Sequence, residues 1–572
     1  MRFRGLLMLL GGLLSIAFTG DEARNYPTDY FRAPVNYQMK LSGTFGELRP
    51  NHFHAGIDIK GKVGAKLYAI GDGYISRIKV QEGGYGNVLY INHPNGYTSV
   101  YAHLHRFTPE VADYVKQAQY NAQTFEIELY PPKDLFAFAK GDEIGKMGVS
   151  GRSFGPHLHF EIRDTKTEEP INPLLFGLKV ADSRRPKLHQ LKLFGLSKYM
   201  ETTSTKTLSV YGKGKTYSVK GDTTYVKAPQ VGVALKAYDH MDEVRNWNGI
   251  YSLSLFLDDS LHYQFEMERF AFSESRYINA HLDYEEQVTK KSYFNRCFLL
   301  PGNELSIYNY LVDRGVINLN QERARKVELV AKDIEGNEAK LRFWVKQHSK
   351  PPPTAATTNH TYFLPYQEKS IIELPNLKAF FPEGTLYENL YMSYNSAEDQ
   401  SNGIYSAVHH IHDYKTPAHK YFTLSLLPST LPLSLKDKAF VAYCGKNNKV
   451  INYGGEWEGE WLKTKVRDFG DFYISVDDKA PKIVPLNFKK NLKGRKRVSF
   501  KITDNIATAR NVAGLQYRAT IDGQWVLLQF DAKNDLLTHT FESDLTSGEH
   551  QLRLEVWDAL NNKAVFERSF VR

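Results

Sequence analysis

Residues 155–161 have the sequence GPHLHFE, and this stretch decides the fold expected for the N-terminal third of the chain. Side chains alternate between the two faces of a β-strand, so His157 and His159 share a face. The motif HAGID spaces His54 and Asp58 four residues apart, which in a strand is again one face. Two such strands side by side present three nitrogen or oxygen ligands to one metal ion. Three protein ligands with a fourth position open are typical of a catalytic zinc site.

Two further motifs, YAHL at residues 101–104 and GVSG at residues 148–151, lie between these stretches. The chain has 19 histidines, so a single histidine carries little weight. The combination of motifs is more specific, because small or rigid residues accompany the proposed ligands. Gly56 lies between His54 and Asp58, and a Gly-Pro pair precedes His157, where close approach of the backbone is needed.

The region from residue 30 to about residue 178 alternates short apolar segments with glycine-rich turns such as GGYGN at residues 83–87. This pattern predicts an antiparallel β domain. One helix is expected within residues 107–140, with Thr108 as its cap and Pro109 at its first position. Its apolar face is predicted to contain Val111, Tyr114, Val115 and Ala118.

Length and composition favour several folded β domains. At 572 residues, about four domains of roughly 150 residues each are expected. Hydrophobic residues make up 42% and charged residues 24%, as in folded soluble proteins, and the aromatic content of 13% favours strands. The net charge of +9 is modest for this length and no long basic run is present. Nucleic-acid binding is therefore not expected.

The C-terminal two thirds contain an internal repeat. The segment 327–333, VELVAKD, resembles 552–558, LRLEVWD, and both continue to an asparagine. The offset is 225 residues at both positions (558 − 333 and 562 − 337). The segments 233–239 and 498–504 form a second matching pair. Strands without catalytic motifs predict two β-sandwich modules of immunoglobulin-like type.

The N-terminus is expected to be a signal peptide, residues 1–20. Arg2 and Arg4 precede an apolar run from residue 6 to residue 18, which is too short to span a membrane comfortably. We therefore expect export to the periplasm or cell envelope without a transmembrane anchor. The two cysteines, Cys297 and Cys444, fall in different predicted domains and indicate either isolated thiols or one disulfide.

These motifs, together with FGELR at residues 45–49, resemble the lysostaphin-type (LytM-like) zinc metalloendopeptidases, which cleave peptide cross-links of bacterial peptidoglycan. The resemblance covers residues 45–164. It implies an antiparallel β-sheet LytM-like domain, and together with the strand patterning of the remainder this predicts a mostly β fold in which that domain is followed by three β-sandwich (immunoglobulin-like) modules. The expected boundaries are 21–180 for the peptidase domain, 181–349 and 478–572 for the two repeats, and 350–477 for a β-rich module of uncertain type.

The resemblance also implies roles for individual residues. His54, Asp58 and His159 would bind Zn²⁺, His157 would act as general base, and His103 would stabilise or orient the oxyanion. Tyr85 and Asn87, in the glycine-rich turn, are candidate substrate-binding residues. The segment 107–140 is longer than a minimal member of the family needs, and it is expected to form a wall or lid near the groove.

The expected function is hydrolysis of peptidoglycan cross-links by an exported zinc endopeptidase acting on stem peptides. Two alternatives belong to other classes. A LytM-like protein that lacks activity and regulates other wall hydrolases is one, but every proposed ligand is present here. The other is a binding protein whose C-terminal β modules recognise wall, glycan or an envelope protein.

Overall fold

A computed structural model describes the chain in five stretches, and the predicted signal peptide and the proline-rich linker at 351–354 lie outside them. Strands make up 47% and helices 8% of the structure, which confirms the prediction of a mostly β chain. Within the described stretches, no helix is both long and apolar enough to cross a membrane. The described residues are 25–349, 360–399, 403–445, 449–541 and 545–572.

The N-terminal domain is a set of short strands with one α-helix and a 3-10 turn (Pro173–Phe176). Its elements are β1 (Leu41–Gly43), β2 (Leu48–Arg49), β3 (His52–Phe53), β4 (Ile57–Lys60), β5 (Lys66–Tyr68), β6 (Gly73–Val80), β7 (Val88–Asn92), β8 (Tyr97–Ala102), β9 (Leu104–Phe107), α1 (Pro109–Ala122), β10 (Ile127–Leu129), β11 (Ala137–Phe138), β12 (Glu143–Met147), β13 (His157–Asp164) and β14 (Pro170–Ile171).

The main sheet of this domain has the order β1-β4-β13-β8-β7-β6-β10, and β4 and β13 are antiparallel neighbours. His159 lies directly opposite Asp58 in their register. Leu158 and Phe160 alternate with the histidines and are completely buried in the core of the domain. Strand alternation therefore turns the apolar residues of β13 inward and leaves its histidines on the other face.

His54 reaches the site by a different route from the one that its spacing suggested. The residue follows β3 and precedes β4, so it does not share a strand with Asp58. The chain bends at Gly56, where an added Cβ would lie 2.3 Å from the carbonyl oxygen of Phe160. Only glycine therefore lets this bend pack against β13, and the bend brings His54 back beside Asp58.

Helix α1 begins at Pro109, as predicted, although its capping and its buried face differ from the prediction. Thr108 is extended but its side chain makes no capping hydrogen bond. The buried residues are Val111, Val115 and Gln119, whereas Tyr114 and Ala118 are only partly buried. The two strands that follow, β10 and β11, both pair with β6 and extend the main sheet.

The second region, residues 187–347, forms one large sheet around the main hydrophobic core, and its β17 and β25 are parallel. It also contains 3-10 turns at Phe272–Tyr277 and Asp313–Gly315. Its other elements are β15 (Lys187–Leu196), β16 (Thr202–Lys213), β17 (Thr216–Val226), β18 (Gln230–Tyr238), β19 (Ser252–Leu257), β20 (Ser260–Glu266), α2 (Ile278–His281), α3 (Tyr284–Lys290), β21 (Asn295–Arg296), β22 (Tyr308–Leu311), β23 (Ile317–Asn318), β24 (Arg325–Lys332) and β25 (Glu338–Gln347).

The third region packs a five-stranded sheet against a six-stranded sheet whose edge strand, Ala507–Thr508, comes from the last region, and a 3-10 turn spans Leu433–Lys438. Its strands are β26 (Tyr362–Leu364), β27 (Ser370–Leu374), β28 (Leu377–Phe381), β29 (Leu390–Met392), β30 (Tyr394–Ala397), β31 (Val408–Ile411), β32 (Phe422–Leu426), β33 (Ala439–Cys444), β34 (Val450–Asn452), β35 (Glu456–Glu458), β36 (Trp461–Val466) and β37 (Gly470–Val476). Cys297 and Cys444 are both free thiols.

The last region has two four-stranded sheets around one core. Its strands are β38 (Lys482–Pro485), β39 (Arg497–Thr503), β40 (Ala507–Thr508), β41 (Gln516–Ile521), β42 (Gln524–Trp525), β43 (Gln529–Asp531), β44 (Leu536–Thr540), β45 (Glu549–Trp557) and β46 (Lys563–Val571).

The last region contacts the N-terminal domain. The hydroxyl of Tyr517 donates to Glu82 Oε1 at 3.0 Å, and the rings of Tyr120 and Trp525 meet edge to face at 5.2 Å. Tyr120 belongs to α1. Part of the segment 107–140 is therefore a platform on which the last region rests.

This contact is expected to loosen as the pH rises. Burial raises the pKa of Glu82 to about 7, and the Tyr517 hydroxyl acts against this while the nearby Glu126 carboxylate adds to it. The docked state therefore holds a proton more tightly than the undocked state, so docking is strongest at acidic pH. It weakens as the pH rises from the ordinary value of 4.5 through about 7. Small-angle X-ray scattering should show the radius of gyration increasing across this window.

The matched variants are Glu82→Gln, which removes the titrating group, and Glu110→Gln, which changes an exposed carboxyl on α1. The first should give a radius of gyration independent of pH, and the second should behave like the wild type. A wild-type radius that stays constant from pH 4.5 to pH 8 would contradict the expectation.

Candidate active site

Three potential ligand atoms lie close together. They belong to side chains on β13, on β4 and on the loop that precedes β4. His54 Nε2 lies 3.0 Å from Asp58 Oδ1 and 2.9 Å from His159 Nδ1. His159 Nδ1 is 3.0 Å from the same carboxylate oxygen. All three residues are buried, and they were all predicted as ligands. The structure brings them together as one group able to hold a metal ion.

Each of these side chains is oriented by a partner on its far side. His54 Nδ1–H donates to the carbonyl oxygen of Thr44 at 2.8 Å, and His159 Nε2–H donates to Glu161 Oε1 at 2.8 Å. Arg49 donates to the second oxygen of Asp58 at 2.9 Å. In the neutral form of each ring the outward nitrogen keeps the proton, and the inward nitrogen then presents a lone pair to the cluster. Such outer hydrogen bonds fix the tautomer and the ring orientation of metal-binding histidines.

Glu161 links the site to the interior of the domain. It is completely buried and accepts a hydrogen bond from Arg163 Nε at 2.6 Å as well as one from Tyr85. The ring of Tyr85 also stacks on His159 at 5.1 Å. Tyr85, predicted as a substrate-binding residue, thus contacts His159 with its ring and Glu161 with its hydroxyl.

The charges in the cluster indicate a binding site for a cation. Burial lowers the pKa of His54 to about 4. Burial opposes ionisation of Asp58 and His159 as well, but the contacts between the cluster residues outweigh it. They hold the pKa of Asp58 well below its ordinary value, and the hydrogen bonds to Asp58 and Glu161 raise the pKa of His159 to about 9. One positive charge is therefore favoured among these donors.

Zinc fits this group of donors. Two imidazole nitrogens and one carboxylate oxygen are the ligand types of catalytic zinc sites. In the metal-bound state both inward nitrogens must be unprotonated, and their outer partners already favour that tautomer. A divalent ion would take the place of the proton on His159.

His157 and His103 lie beside the donors. His157 Nδ1–H donates to the carbonyl oxygen of Gly155 at 2.8 Å, and its Nε2 is 3.6 Å from Asp58 Oδ1. His103 Nδ1–H donates to the carbonyl oxygen of Ser150 at 2.9 Å, and the two rings are 4.8 Å apart. Burial, followed by the charges of His159 and His157, lowers the pKa of His103 to about 3. Because a carbonyl oxygen occupies Nδ1 of each ring, Nε2 is the nitrogen that each histidine leaves available for proton transfer.

Other residues considered from the sequence lie outside the cluster. Asn87 donates its side-chain amide to the carbonyl oxygen of Leu104, and its backbone N–H donates to Ser150 Oγ. It braces the loops near His103. His52 and His105 are exposed and contribute no atom to the cluster.

Sequence reasoning missed three supporting residues. Arg49 was part of a quoted motif but received no role, and the contribution of Thr44 is a backbone carbonyl that no side-chain pattern reveals. The third is Lys533, whose Nζ donates to the carbonyl oxygens of Val149 at 2.5 Å and Gly151 at 3.4 Å. These carbonyls flank Ser150, the partner of His103.

Residues 52–126 match Peptidase family M23, and residues 361–477 match the Zu5-like domain. The first match includes His54, Asp58 and His103 and ends before His157 and His159.

Several curated proteins are similar to this part of the chain. The DD-carboxypeptidase/endopeptidase Mpg of Neisseria meningitidis is 37% identical over 150 residues, which are 25% of this chain and 28% of that protein. The peptidoglycan DD-endopeptidase ShyC of Vibrio cholerae is 30% identical over 136 residues, which are 24% of this chain and 25% of that protein. The chain thus spans about a quarter of the length of these relatives.

Among solved structures, the catalytic domain of lysostaphin from Staphylococcus simulans aligns with 24% of this chain and 91% of its own length, at 21% identity and a TM-score of 0.18. A zinc-containing peptidase from Vibrio cholerae aligns with 27% of this chain and 40% of its own, at 22% identity and a TM-score of 0.17. TM-scores at this level carry no argument about the whole chain.

Replacement of Glu161 by glutamine should weaken zinc binding. The amide lacks the negative charge that holds the Nε2–H of His159, so we expect a loss of zinc affinity of about 10- to 100-fold. Competition with a chromogenic chelator measures this affinity. Glu168→Gln is the matched control, because Glu168 is an exposed second carboxylate partner of Arg163. Equal affinities in the two variants would contradict the role given to Glu161.

Proposed function

Because its N-terminal region carries a Peptidase family M23 domain, we propose that this chain is an exported zinc-dependent endopeptidase that hydrolyses the peptide cross-links of bacterial peptidoglycan. One observation carries the proposal. One atom each of His54, Asp58 and His159 lies within 4.8 Å of the other two, and the rings of His157 and His103 lie beside this group.

The roles of the residues follow from their hydrogen bonds. His54, Asp58 and His159 would hold Zn²⁺, which supplies Lewis acidity and lowers the pKa of water to about 7. His157 is fixed by Gly155 so that Nε2 can take a proton from the attacking water. His103 is held by Ser150 in the same way. It can donate to an oxyanion only after it has taken up a proton from solvent, because the proton of the attacking water goes to His157.

The proposed substrates are stem peptides cross-linked through D-amino acids. This part of the proposal is supported by the relatives ShyC and ShyA, which are named peptidoglycan DD-endopeptidases. Export is supported by the charged and apolar pattern of residues 1–20 in the sequence. A role in binding wall, glycan or an envelope protein is proposed for the β regions that follow, since they make up most of the chain.

The test is digestion of purified sacculi by the full chain. Released muropeptides are separated by chromatography after incubation with protein, with protein plus chelator, and with chelated protein to which zinc is restored. We expect cross-linked dimers to decrease and monomers to increase, and we expect chelation to stop this change. His159→Ala should be inactive, because it removes a zinc ligand together with the contact to Glu161.

His105→Ala is the matched control, since His105 is exposed and lies two residues from His103. It should digest sacculi at the wild-type rate. The proposal would be wrong if the loss of dimers were not sensitive to chelator and if His159→Ala behaved like the wild type. If His159→Ala and the wild type stimulated a separate wall amidase equally, the regulatory alternative would replace it.

His157→Ala should separate chemistry from metal binding. Loss of a general base lowers the rate of dimer cleavage by about 10²- to 10⁴-fold. Zinc content, measured by atomic emission, should stay at the wild-type stoichiometry because His157 is not among the ligands. A variant that loses zinc as completely as His159→Ala would show that His157 holds the metal instead.

A further inference from the structure

A second group of acidic side chains lies where the N-terminal domain joins the second region. Asp182 belongs to the segment that enters β15, Asp239 directly follows β18, and Asp333 directly follows β24. One carboxylate oxygen of each lies within 4.8 Å of the other two. Three separate segments of chain thus bring three carboxylates to one point.

One oxygen of each of these carboxylates has no hydrogen-bond partner among the described residues. Asp182 Oδ2, Asp239 Oδ1 and Asp333 Oδ2 are buried and accept no hydrogen bond in the described part of the chain. Asp239 and Asp333 are only 2% and 3% exposed. No lysine or arginine among the described residues forms a salt bridge with any of the three. Buried carboxylates in this state require either protons or a cation.

A buried amide stands beside them and is also unpartnered. Asn248 and Asp239 exchange two backbone hydrogen bonds of 3.0 Å each, so they form a directly opposed antiparallel pair. The side chains of such a pair lie on the same face. Asn248 is 1% exposed, and neither its amide oxygen nor its amide nitrogen has a hydrogen-bond partner. Its oxygen is available as a fourth ligand next to Asp239.

The internal repeat places the same arrangement in the last region, where Asp477, Asp504 and Asp558 also come within 4.8 Å of one another. The supporting hydrogen bonds are the same in both copies. Asn337 N–H donates to Asp333 at 2.8 Å, and Asn562 N–H donates to Asp558 at 2.9 Å. The side-chain amides of these asparagines donate to the backbone carbonyls of Asp182 and Asp477, respectively. The aspartates are thus part of a repeated structural unit.

The two copies differ in how the carboxylates are satisfied. In the last region the side-chain amide of Asn505 donates to Asp477 Oδ1 at 3.1 Å. The corresponding residue of the first copy is His240, whose Nδ1–H donates to the carbonyl oxygen of Asn246, and whose Nε2 is buried without a partner. Among the residues that the structure describes, no donor takes the place of the Asn505 amide, so the first copy is the one left for a cation.

We propose that Asp182, Asp239 and Asp333 bind a hard divalent cation of the Ca²⁺ class, with Asn248 as a further oxygen ligand. Carboxylate and amide oxygens without nitrogen or sulfur are the ligands of such ions, in contrast to the zinc site. Burial and then the neighbouring carboxylates raise the pKa of Asp239 to about 8, which reflects the same need for positive charge.

The position of this site gives the cation a structural role. Asp239 and Asp333 border a cavity of about 20 Å³ together with Thr44 and Asn172 of the N-terminal domain. Asp182 lies on the connection between the two regions. A bound ion therefore ties that connection to the ends of β18 and β24 and fixes the orientation of the second region.

The test is titration of the full chain with Ca²⁺ after removal of metals and restoration of one equivalent of zinc. Calorimetry should detect Ca²⁺ binding, and a 100-fold excess over Kd should raise the thermal midpoint by about 5 °C. In Asp239→Asn and Asp333→Asn this shift should disappear. Without Ca²⁺ their midpoints should be no lower than that of the wild type, because like-charge repulsion is reduced.

Glu335→Gln is the matched control, since it removes an exposed carboxylate from the same turn as Asp333 and should keep the Ca²⁺ shift. Asp182→Asn changes a half-buried residue outside the strands and should also abolish the Ca²⁺ shift. Absence of binding to the wild type would overturn the proposal. Loss of the shift in Asp504→Asn, with the shift retained in Asp239→Asn, would overturn it in favour of the other copy.

Discussion

The candidate active site depends on aromatic side chains of the N-terminal domain that pack into the core of the second region. Phe45 and Phe53 are buried in the core of the second region, where their rings lie 5.2 and 5.4 Å from that of Phe270. The N–H of Phe53 also donates to Ser275 Oγ at 3.0 Å. Burial of each ring contributes about 1.5–3 kcal/mol. His54 is the next residue, so the second region fixes one of the three proposed metal ligands.

The sequence predicted the parts of the site that depend on local periodicity. Alternation along β13 correctly placed His157 and His159 on one face, because the direction of each side chain in a strand follows from its position in the sequence alone. The spacing of His54 and Asp58 predicted that the two side chains lie close together, but for an incorrect reason. His54 is brought back by a bend at Gly56, and the space for that bend is limited by the Phe160 carbonyl on another strand. Such a constraint arises from tertiary packing and leaves no local pattern in the sequence.

Contacts between distant parts of the chain account for most of what remained unpredicted. Helix α1 could be predicted from Pro109 and the apolar spacing, but its role as a platform depends on Trp525, far along the chain. The repeat was visible in the sequence as two similar predicted strands, each followed by an aspartate. That these aspartates converge with a third one from the preceding connection follows only from the fold.

The bond from Lys533 to the carbonyls of Val149 and Gly151 joins residues 384 and 382 positions apart. Chains are synthesised from the N-terminus, and domains generally fold as they emerge. The N-terminal domain is therefore complete long before Lys533 exists, and the loop that holds His103 receives its last brace from the final region. A nascent chain that has not reached Lys533 keeps every proposed zinc ligand but lacks this brace. The order of synthesis thus delays this contact until Lys533 has been added.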